Sequence, residues 1–213
     1  MSDRIAVSPE FLLFRSKLAM RLGLYGGTFD PIHLGHLILA EICREAFNLD
    51  LVWFVVAGAP PHKPGGRTDS GHRLEMVRLA VAGHPSFEVS EIETRRPGPH
   101  YSAETIESVA RERPDDELFF LIGADSLVDL PHWREPDKIL KLASLVVANR
   151  PGFEPPPFDV PPGAKPIQRV TIPPIGIASQ DVRRRLLEGR SVRYQIPRAV
   201  EAYIDAHKLY RGG

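Results

Sequence analysis

Two histidines and a pair of glycines stand close together near the start of the chain, and both residue types are suited to binding phosphate. Gly26 and Gly27 follow a short apolar run, which is typical of a buried strand that ends in a tight turn. His33 and His36 lie three residues apart, so on a helix both rings project from the same face. Free N–H groups at a helix N-terminus attract anions. The segment predicts a phosphate site, although Gly-Gly pairs also form ordinary turns and such histidines also occupy surfaces.

The elements on either side of these residues can be placed from the same stretch. Asp30 and Pro31 predict a helix start, because aspartate is a favourable N-cap and proline suits the first helical position. Apolar residues at helical spacing then predict a helix over about 33–47. An apolar, β-rich run at 51–57 follows. Strand, helix and strand at this spacing predict a right-handed βαβ unit in a parallel sheet.

The rest of the chain continues this alternation. Apolar runs bounded by Gly, Pro and Ser predict further strands, and residues at helical spacing between them predict helices whose first turns Ser70, Ser102 and Ser179 can cap. We predict an α/β fold with a mostly parallel sheet. The further strands are expected at 87–92, 117–123, 144–148 and 169–172.

Length and composition limit the class of protein. A chain of 213 residues with 43% hydrophobic content can bury one substantial core, which predicts a single domain. Its 27 basic and 27 acidic residues cancel, so no net basic field favours nucleic acid. Cys43 is the one cysteine, which excludes an intrachain disulfide and a cysteine-based zinc site. We expect a buried thiol and a cytoplasmic protein.

Residues 1–19 are predicted to be a dispensable extension, and 20–213 the single domain. The apolar stretch at 11–14 is followed by Arg15 and Lys17, and no small-residue cleavage site comes after it. This pattern supports neither a signal peptide nor a membrane span.

The string Gly-Gly-Thr-Phe-Asp-Pro-x-His-x-Gly-His at 26–36 resembles the signature of the nucleotidyltransferases related to class I aminoacyl-tRNA synthetases, and it matches every defining position. The resemblance implies a Rossmann-like open parallel sheet with helices on both faces, of the adenylyltransferase type. It also implies that His33 and His36 contact the phosphates of ATP. The nucleotide turn would then consist of Gly26, Gly27, Thr28 and Phe29.

A second segment, Ile177-Ala178-Ser179-Gln180-Asp181-Val182-Arg183, resembles the later ATP-binding signature of the same superfamily, Ile-Ser-Ser-Thr-x-Ile-Arg. It departs from that pattern at 178, 180 and 182. The resemblance implies that Ser179 and Arg183 hold the β- and γ-phosphates, and a helix N-terminus beside an arginine suits that role.

Four further segments resemble bacterial nicotinate-nucleotide adenylyltransferases. Pro-Pro-His-Lys at 60–63 matches the loop that holds the phosphate of the second substrate. In that family a tryptophan stacks on the pyridine ring, an aspartate of Gly-x-Asp-Ser lies by both nucleotides, and a Ser-Tyr-Thr segment borders the nicotinate carboxylate. Here His100-Tyr101-Ser102 departs from the last of these. The resemblance implies that the matching residues of this chain bind the substrates in the same way. They are His62, Lys63, Ser102, Asp125 and Trp133.

The resemblance implies that ATP and nicotinate mononucleotide react to give deamido-NAD and pyrophosphate, with Mg²⁺ on the leaving phosphates and no metal ligand from protein side chains. A phosphomonoester is already an anionic nucleophile, so the reaction needs positioning and charge stabilisation rather than a general base. Two alternatives stay open: another acceptor, namely nicotinamide mononucleotide or phosphopantetheine, and an ATP-binding sensor without catalysis. The sequence leaves the oligomeric state open and is compatible with a homo-oligomer.

Overall fold

The computed structural model describes residues 19–58, 68–149, 152 and 159–211. Strands and helices alternate over residues 21–123, as predicted, whereas two successive helices follow at 124–142 and two more end the described part at 179–206. The strands are β1 (Arg21–Gly27), β2 (Leu51–Val56), β3 (Phe87–Ser90), β4 (Glu117–Gly123), β5 (Ser144–Asn149) and β6 (Ile167–Thr171). The helices are α1 (Leu34–Ala46), α2 (Ser70–Val81), α3 (Ser102–Glu112), α4 (Ala124–Asp129), α5 (Pro136–Leu142), α6 (Ser179–Leu187) and α7 (Arg198–Ala206), with a 3₁₀ turn at Leu130–His132.

The described strands form one parallel sheet in the order β3-β2-β1-β4-β5-β6. This order confirms the predicted Rossmann-like α/β fold. After β3 the chain crosses back to the other side of β1 and continues with β4. In open sheets of this kind, ligands bind in the crevice outside the carboxyl ends of the strands where the order reverses. The predicted nucleotide turn lies at that place, at the end of β1.

Side chains of the sheet point into two cores, one on each face. Leu22 and Leu24 of β1 pack with Ile106 of α3 and Ile139 of α5 on one face. The opposite face packs against helices α1, α2, α6 and α7, through residues such as Leu39, Val77, Val182 and Ile204. Because both faces are covered, the inner strands β1, β2, β4 and β5 are mostly buried, whereas the edge strands β3 and β6 carry polar residues.

Three capping predictions were wrong, by one residue in each case. The N-caps of α2, α3 and α6 are Asp69, Tyr101 and Ala178, and the serines stand at the first helical positions. Asp69 accepts a hydrogen bond from the N–H of Gly71 and so replaces Ser70 as the cap. Asp125 lies in the first turn of α4, whose N-cap is Gly123.

The predicted helix start at Asp30-Pro31 was also wrong. Helix α1 begins at Leu34 with His33 as its N-cap. The Asp30 carboxylate accepts a hydrogen bond from the hydroxyl of Tyr210 at 2.6 Å. It therefore binds a residue distant in sequence and does not cap the helix. Ile32 is fully buried in the core between this aspartate and the helix.

The other predictions concern the thiol, the termini and membranes. Cys43 is buried on α1, as predicted, and burial raises the pKa of its thiol to about 12. The extension predicted at 1–19 lies almost wholly outside the described residues. In the described ranges, no helix is long and apolar enough to cross a membrane.

Candidate active site

The rings of His33 and His36 stack face to face at the beginning of α1. Their centroids are 3.6 Å apart and the ring planes differ by 21°. The aromatic ring of Phe29, from the nucleotide turn, packs edge-on against His36 at a centroid distance of 5.1 Å. The structure thus brings the predicted turn and both predicted phosphate-binding histidines together at the carboxyl end of β1.

A backbone hydrogen bond fixes the proton on the His36 ring. The N–H of His33 donates to Nδ1 of His36 at 3.2 Å, so the neutral ring carries its proton on Nε2. Burial, and secondarily the neighbouring His33 ring, hold the pKa of His36 well below its usual value. Burial also lowers the pKa of His33 to about 4. At neutral pH both rings are uncharged, and His36 presents one N–H donor of defined position.

The His33 ring is held tightly against the helix. Its Nδ1 is buried and makes no hydrogen bond within the described part of the chain. A Cβ added at Gly35 would lie 3.0 Å from Nδ1 and 3.1 Å from Cε1 of this ring. A side chain at 35 would therefore press on this ring, and the ring would have to move by a few tenths of an ångström.

The second predicted ATP segment packs directly on the connection between β1 and α1. The Ser179 hydroxyl donates to the carbonyl of Pro31 at 2.9 Å, and Nη1 of Arg183 donates to the carbonyl of Asp30 at 2.6 Å. The Arg183 side chain remains 38% exposed, so part of the guanidinium is accessible. The two predicted ATP signatures, far apart in sequence, meet at this connection.

Tyr210, near the C-terminal end of the chain, also binds the connection between β1 and α1. Its bond to Asp30 spans 180 positions of sequence, and burial together with this bond raises the pKa of the hydroxyl. This pair could not be predicted, because no local sequence pattern links residues so far apart. The aspartate itself stands inside the first signature, which was the one available signal.

A cleft of about 240 Å³ opens over the carboxyl ends of β1, β2 and β4. Neither histidine lines it, but Tyr25 does, and the centroid of its ring lies 6.2 Å from that of His36. Its lining includes Gly26 and Gly27 of the nucleotide turn, and Ser102 and Trp133 of the predicted acceptor site. Trp133 packs edge-to-face on Phe120, with centroids 6.1 Å apart. The predicted sites for the two substrates therefore face one cleft.

A buried carboxyl group in this cleft was not predicted. Glu93 accepts a hydrogen bond from the Thr105 hydroxyl at 2.8 Å and a longer one from the N–H of Gly58 at 3.4 Å. It lines the cleft with His100, which is also buried. Glu93 follows β3 in a turn-rich segment. A single acidic residue in such a segment does not indicate a functional site.

Among the described residues, the predicted ones that line the cleft are Gly26, Gly27, Ser102 and Trp133, and those that do not are Thr28, Phe29, His33, His36, Asp125, Ser179 and Arg183. His62 and Lys63 lie outside the described residues. Asp125 stands one position before Ser126, which does line the cleft. Within the described ranges, no cluster of three His, Cys, Asp or Glu side chains could hold a metal ion.

The known proteins that this chain matches indicate its family. The family model of cytidylyltransferase-like proteins matches residues 24–185. A probable nicotinate-nucleotide adenylyltransferase of Thermomicrobium roseum is 50% identical over 199 residues, covering 90% of this chain and 92% of its own. The corresponding protein of Thermus thermophilus is 49% identical over 193 residues, covering 90% of this chain and all of its own.

The fold resembles that of solved structures with the same description. The chain superposes on the nicotinic acid mononucleotide adenylyltransferase of Plasmodium falciparum complexed with NaAD with a TM-score of 0.75. The match covers 90% of this chain and 97% of the other at 18% identity. At that identity the likeness supports the fold alone.

Proposed function

Because the chain belongs to the cytidylyltransferase-like family and, by its relatives, to the nicotinate-nucleotide adenylyltransferases, we propose that it transfers the adenylyl group of ATP to nicotinate mononucleotide, giving deamido-NAD and pyrophosphate. One structural observation carries the assignment to this site. The stacked His33–His36 pair and the docked Ser179–Arg183 segment meet at the connection between β1 and α1, at the switch point of the sheet. Gly26 and Gly27, at the end of β1, line the cleft.

For ATP, we propose that the turn of Gly26, Gly27, Thr28 and Phe29 holds the nucleotide. His33 and His36 contact its phosphates, and Ser179 and Arg183 bind the pyrophosphate portion. The accessible part of the Arg183 guanidinium supports this role, because arginine pairs well with phosphate oxygens. Mg²⁺, carried by the phosphates, would neutralise the charge that develops on the leaving group.

For the acceptor, Trp133 stacks on the pyridine ring and Lys63 with His62 binds the phosphate. Ser102 borders the carboxylate, and Asp125 lies between the two nucleotides. The position of Trp133 on the wall of the cleft supports the first of these assignments, because a flat ring in the cleft could lie against the indole.

Catalysis in this proposal consists of positioning and charge stabilisation. The acceptor phosphate attacks the α-phosphorus of ATP in line, the bond from that phosphorus to the bridging oxygen breaks, and pyrophosphate leaves. The Nε2–H of His36 donates to the phosphate oxygens as negative charge develops on them. Its neutral state costs no charge desolvation in the buried site, and the His33 backbone holds the ring in place.

The test is pyrophosphate release from ATP and Mg²⁺ with nicotinate mononucleotide, nicotinamide mononucleotide and phosphopantetheine offered separately. We expect strong preference for the first acceptor, and His36→Ala purified in parallel controls for contaminating activity. Release only with another acceptor would overturn the acceptor assignment and leave the ATP site standing. ATP binding without release in any sample would favour the sensor alternative.

A further inference from the structure

Tyr210 hydrogen-bonds a residue of the first ATP signature, but the proposed mechanism does not use it. Its hydroxyl donates to Oδ1 of Asp30 at 2.6 Å. Lys208 and Tyr210, which follow α7, both have left-handed backbone angles, with φ of 53° and 60°. Residues with a Cβ adopt this conformation only where surrounding contacts maintain it. Tyr210 packs against the core that contains residues of α1, α6 and α7, and it is thereby held beside the connection between β1 and α1.

The Asp30 carboxylate lies between Tyr210 and Arg183. The aspartate is buried, with 4% of the residue exposed. Its Oδ1 accepts from the tyrosine hydroxyl, and its Oδ2 lies 4.0 Å from Nη1 of Arg183. The same Nη1 donates to the backbone carbonyl of Asp30 at 2.6 Å. The tyrosine thus bonds the carboxylate, while the guanidinium bonds the backbone of the same residue.

Loss of the tyrosine hydroxyl would leave the buried carboxylate in need of another donor. The carboxylate would keep its charge, and a buried charge without a partner is costly. The guanidinium of Arg183 is already 4.0 Å away and can turn to form a closer, charge-assisted pair with it. An arginine paired in this way would be withdrawn from the phosphates that we propose it binds.

Other parts of the proposed ATP site are anchored by contacts in which Tyr210 takes no part. The first turn of α6 is fixed to the connection by the Ser179 hydroxyl, which donates to the carbonyl of Pro31 at 2.9 Å. The His36 ring is oriented by the backbone N–H of His33. We therefore expect the effect of the tyrosine to be confined to the guanidinium, and hence to the pyrophosphate portion of ATP.

We infer that Tyr210 is a positioning residue for ATP: its hydroxyl occupies the Asp30 carboxylate and so leaves the Arg183 guanidinium available to the β- and γ-phosphates. This inference rests on the proposed function, of which it uses the ATP half. It assigns to Tyr210 no contact with either substrate.

The test compares the binding of ATP and of AMP to the wild-type and Tyr210→Phe proteins, with Mg²⁺ and without acceptor. Calorimetric titration gives both dissociation constants, and circular dichroism shows that each sample is folded. AMP lacks the two phosphates that Arg183 is proposed to bind. In Tyr210→Phe we expect the Kd for ATP to rise about tenfold, while the Kd for AMP changes less than about twofold.

Tyr203→Phe is the matched control for this comparison. The Tyr203 hydroxyl is hydrogen-bonded to Nδ1 of His72 on α2 at 2.9 Å, so this variant also loses a hydroxyl hydrogen bond, but one that does not involve Asp30. Both dissociation constants should stay at their wild-type values. Equal weakening of ATP and AMP by Tyr210→Phe, or an unchanged affinity for ATP, would overturn the inference.

A double-mutant cycle shows whether the effect passes through Arg183. Arg183→Met should itself weaken the binding of ATP. In that background, Tyr210→Phe should cause no further loss of ATP affinity, because the group on which it acts is gone. Losses that simply add would contradict the inference, and so would an Arg183→Met protein with wild-type affinity for ATP.

If Tyr210→Phe does not fold, a measurement on the wild-type protein decides. Coupling between two binding events is reciprocal, so ATP should in turn stabilise the contact between Tyr210 and Asp30. Amide hydrogen exchange over 203–211 should then be slower with saturating ATP than with saturating AMP. Equal exchange with the two nucleotides would overturn the inference. Failure of the proposed function is recognised separately, because the wild-type protein would then release no pyrophosphate with nicotinate mononucleotide.

Discussion

At the scale of single residues, the account depends on the defined orientation of the His36 ring. Replacing His36 by alanine should lower kcat by roughly 10²-fold or more, the usual cost of losing one donor to charge that develops in the transition state. Pyrophosphate release at saturating substrates measures this effect. His84→Ala is the matched control, since His84 precedes β3 at the opposite edge of the sheet. Equal activity of the two variants would refute the role of His36.

A methyl group at Gly35 tests the packing of the histidine pair without removing either ring. Because the added Cβ would lie 3.0 Å from Nδ1 of His33, the ring must shift. We expect Gly35→Ala to reduce kcat at least about tenfold although alanine favours the helix by about 1 kcal/mol. Kinetics together with the helical signal in circular dichroism measure both effects. Full activity in a folded variant would show that the ring position is not critical.

The pH dependence of stability should report the buried state of His33. Its pKa is lowered to about 4 in the folded protein, so between that pH and its ordinary value near 6.5 the unfolded chain binds more protons. The free energy of unfolding is therefore fully retained above about pH 6.5 and decreases as the pH falls toward about 4. Urea titrations near neutral pH and near pH 5 measure the decrease. His33→Gln should show a smaller decrease, and an identical pH dependence in this variant would contradict the assignment.

At the scale of elements, the connection between β1 and α1 is held by α6 and by the C-terminal end of the described chain. Tyr210→Phe removes the hydroxyl that bonds the buried Asp30 carboxylate. We expect a loss of about 1–3 kcal/mol in the free energy of unfolding, because a buried acceptor is left without its partner. Urea unfolding measures the loss, and Tyr194→Phe, at a residue that is 84% exposed, is the control. Equal stability of both variants would mean that the bond contributes nothing.

The helices and strands also show which element bounds can be predicted from local sequence. Strand β4 was predicted with its observed bounds, since a strand buried on both faces is a continuous apolar run. The start of α1 was misplaced because Asp30 is bonded to Tyr210 and Arg183, which no local pattern connects to it. Glu93 was missed for the same reason, because its partners Thr105 and Gly58 become its neighbours only when the sheet forms.

At the scale of the whole molecule, the parallel order of the strands brings the nucleotide turn and Trp133, which we propose bind ATP and the acceptor, to the same edge of the sheet. The motifs identified in the sequence, at 26–36 and 177–183, could be assigned to ATP from their resemblance to the family. Their contact across the Asp30-Pro31 backbone could not be predicted, because it depends on how α6 packs against the core.

The proposed extension at 1–19 is tested by a chain that begins at Met20. The Met20 side chain is buried and its N–H donates to Asp116 at 3.0 Å, so a new amino terminus would stand beside a carboxylate. Such a pairing is favourable. We expect the truncated protein to keep its kcat within about twofold of the full chain. A large loss of pyrophosphate release would show that these residues belong to the working enzyme.

The central claim is that the adenylyl group passes from ATP to the phosphate of nicotinate mononucleotide. The most direct measurement uses ATP labelled on its α-phosphate, with nicotinate mononucleotide and Mg²⁺, followed by separation of the products. The account predicts that the label appears in deamido-NAD and that the released pyrophosphate is unlabelled. Label that remains in ATP, or that leaves as free AMP, would contradict it.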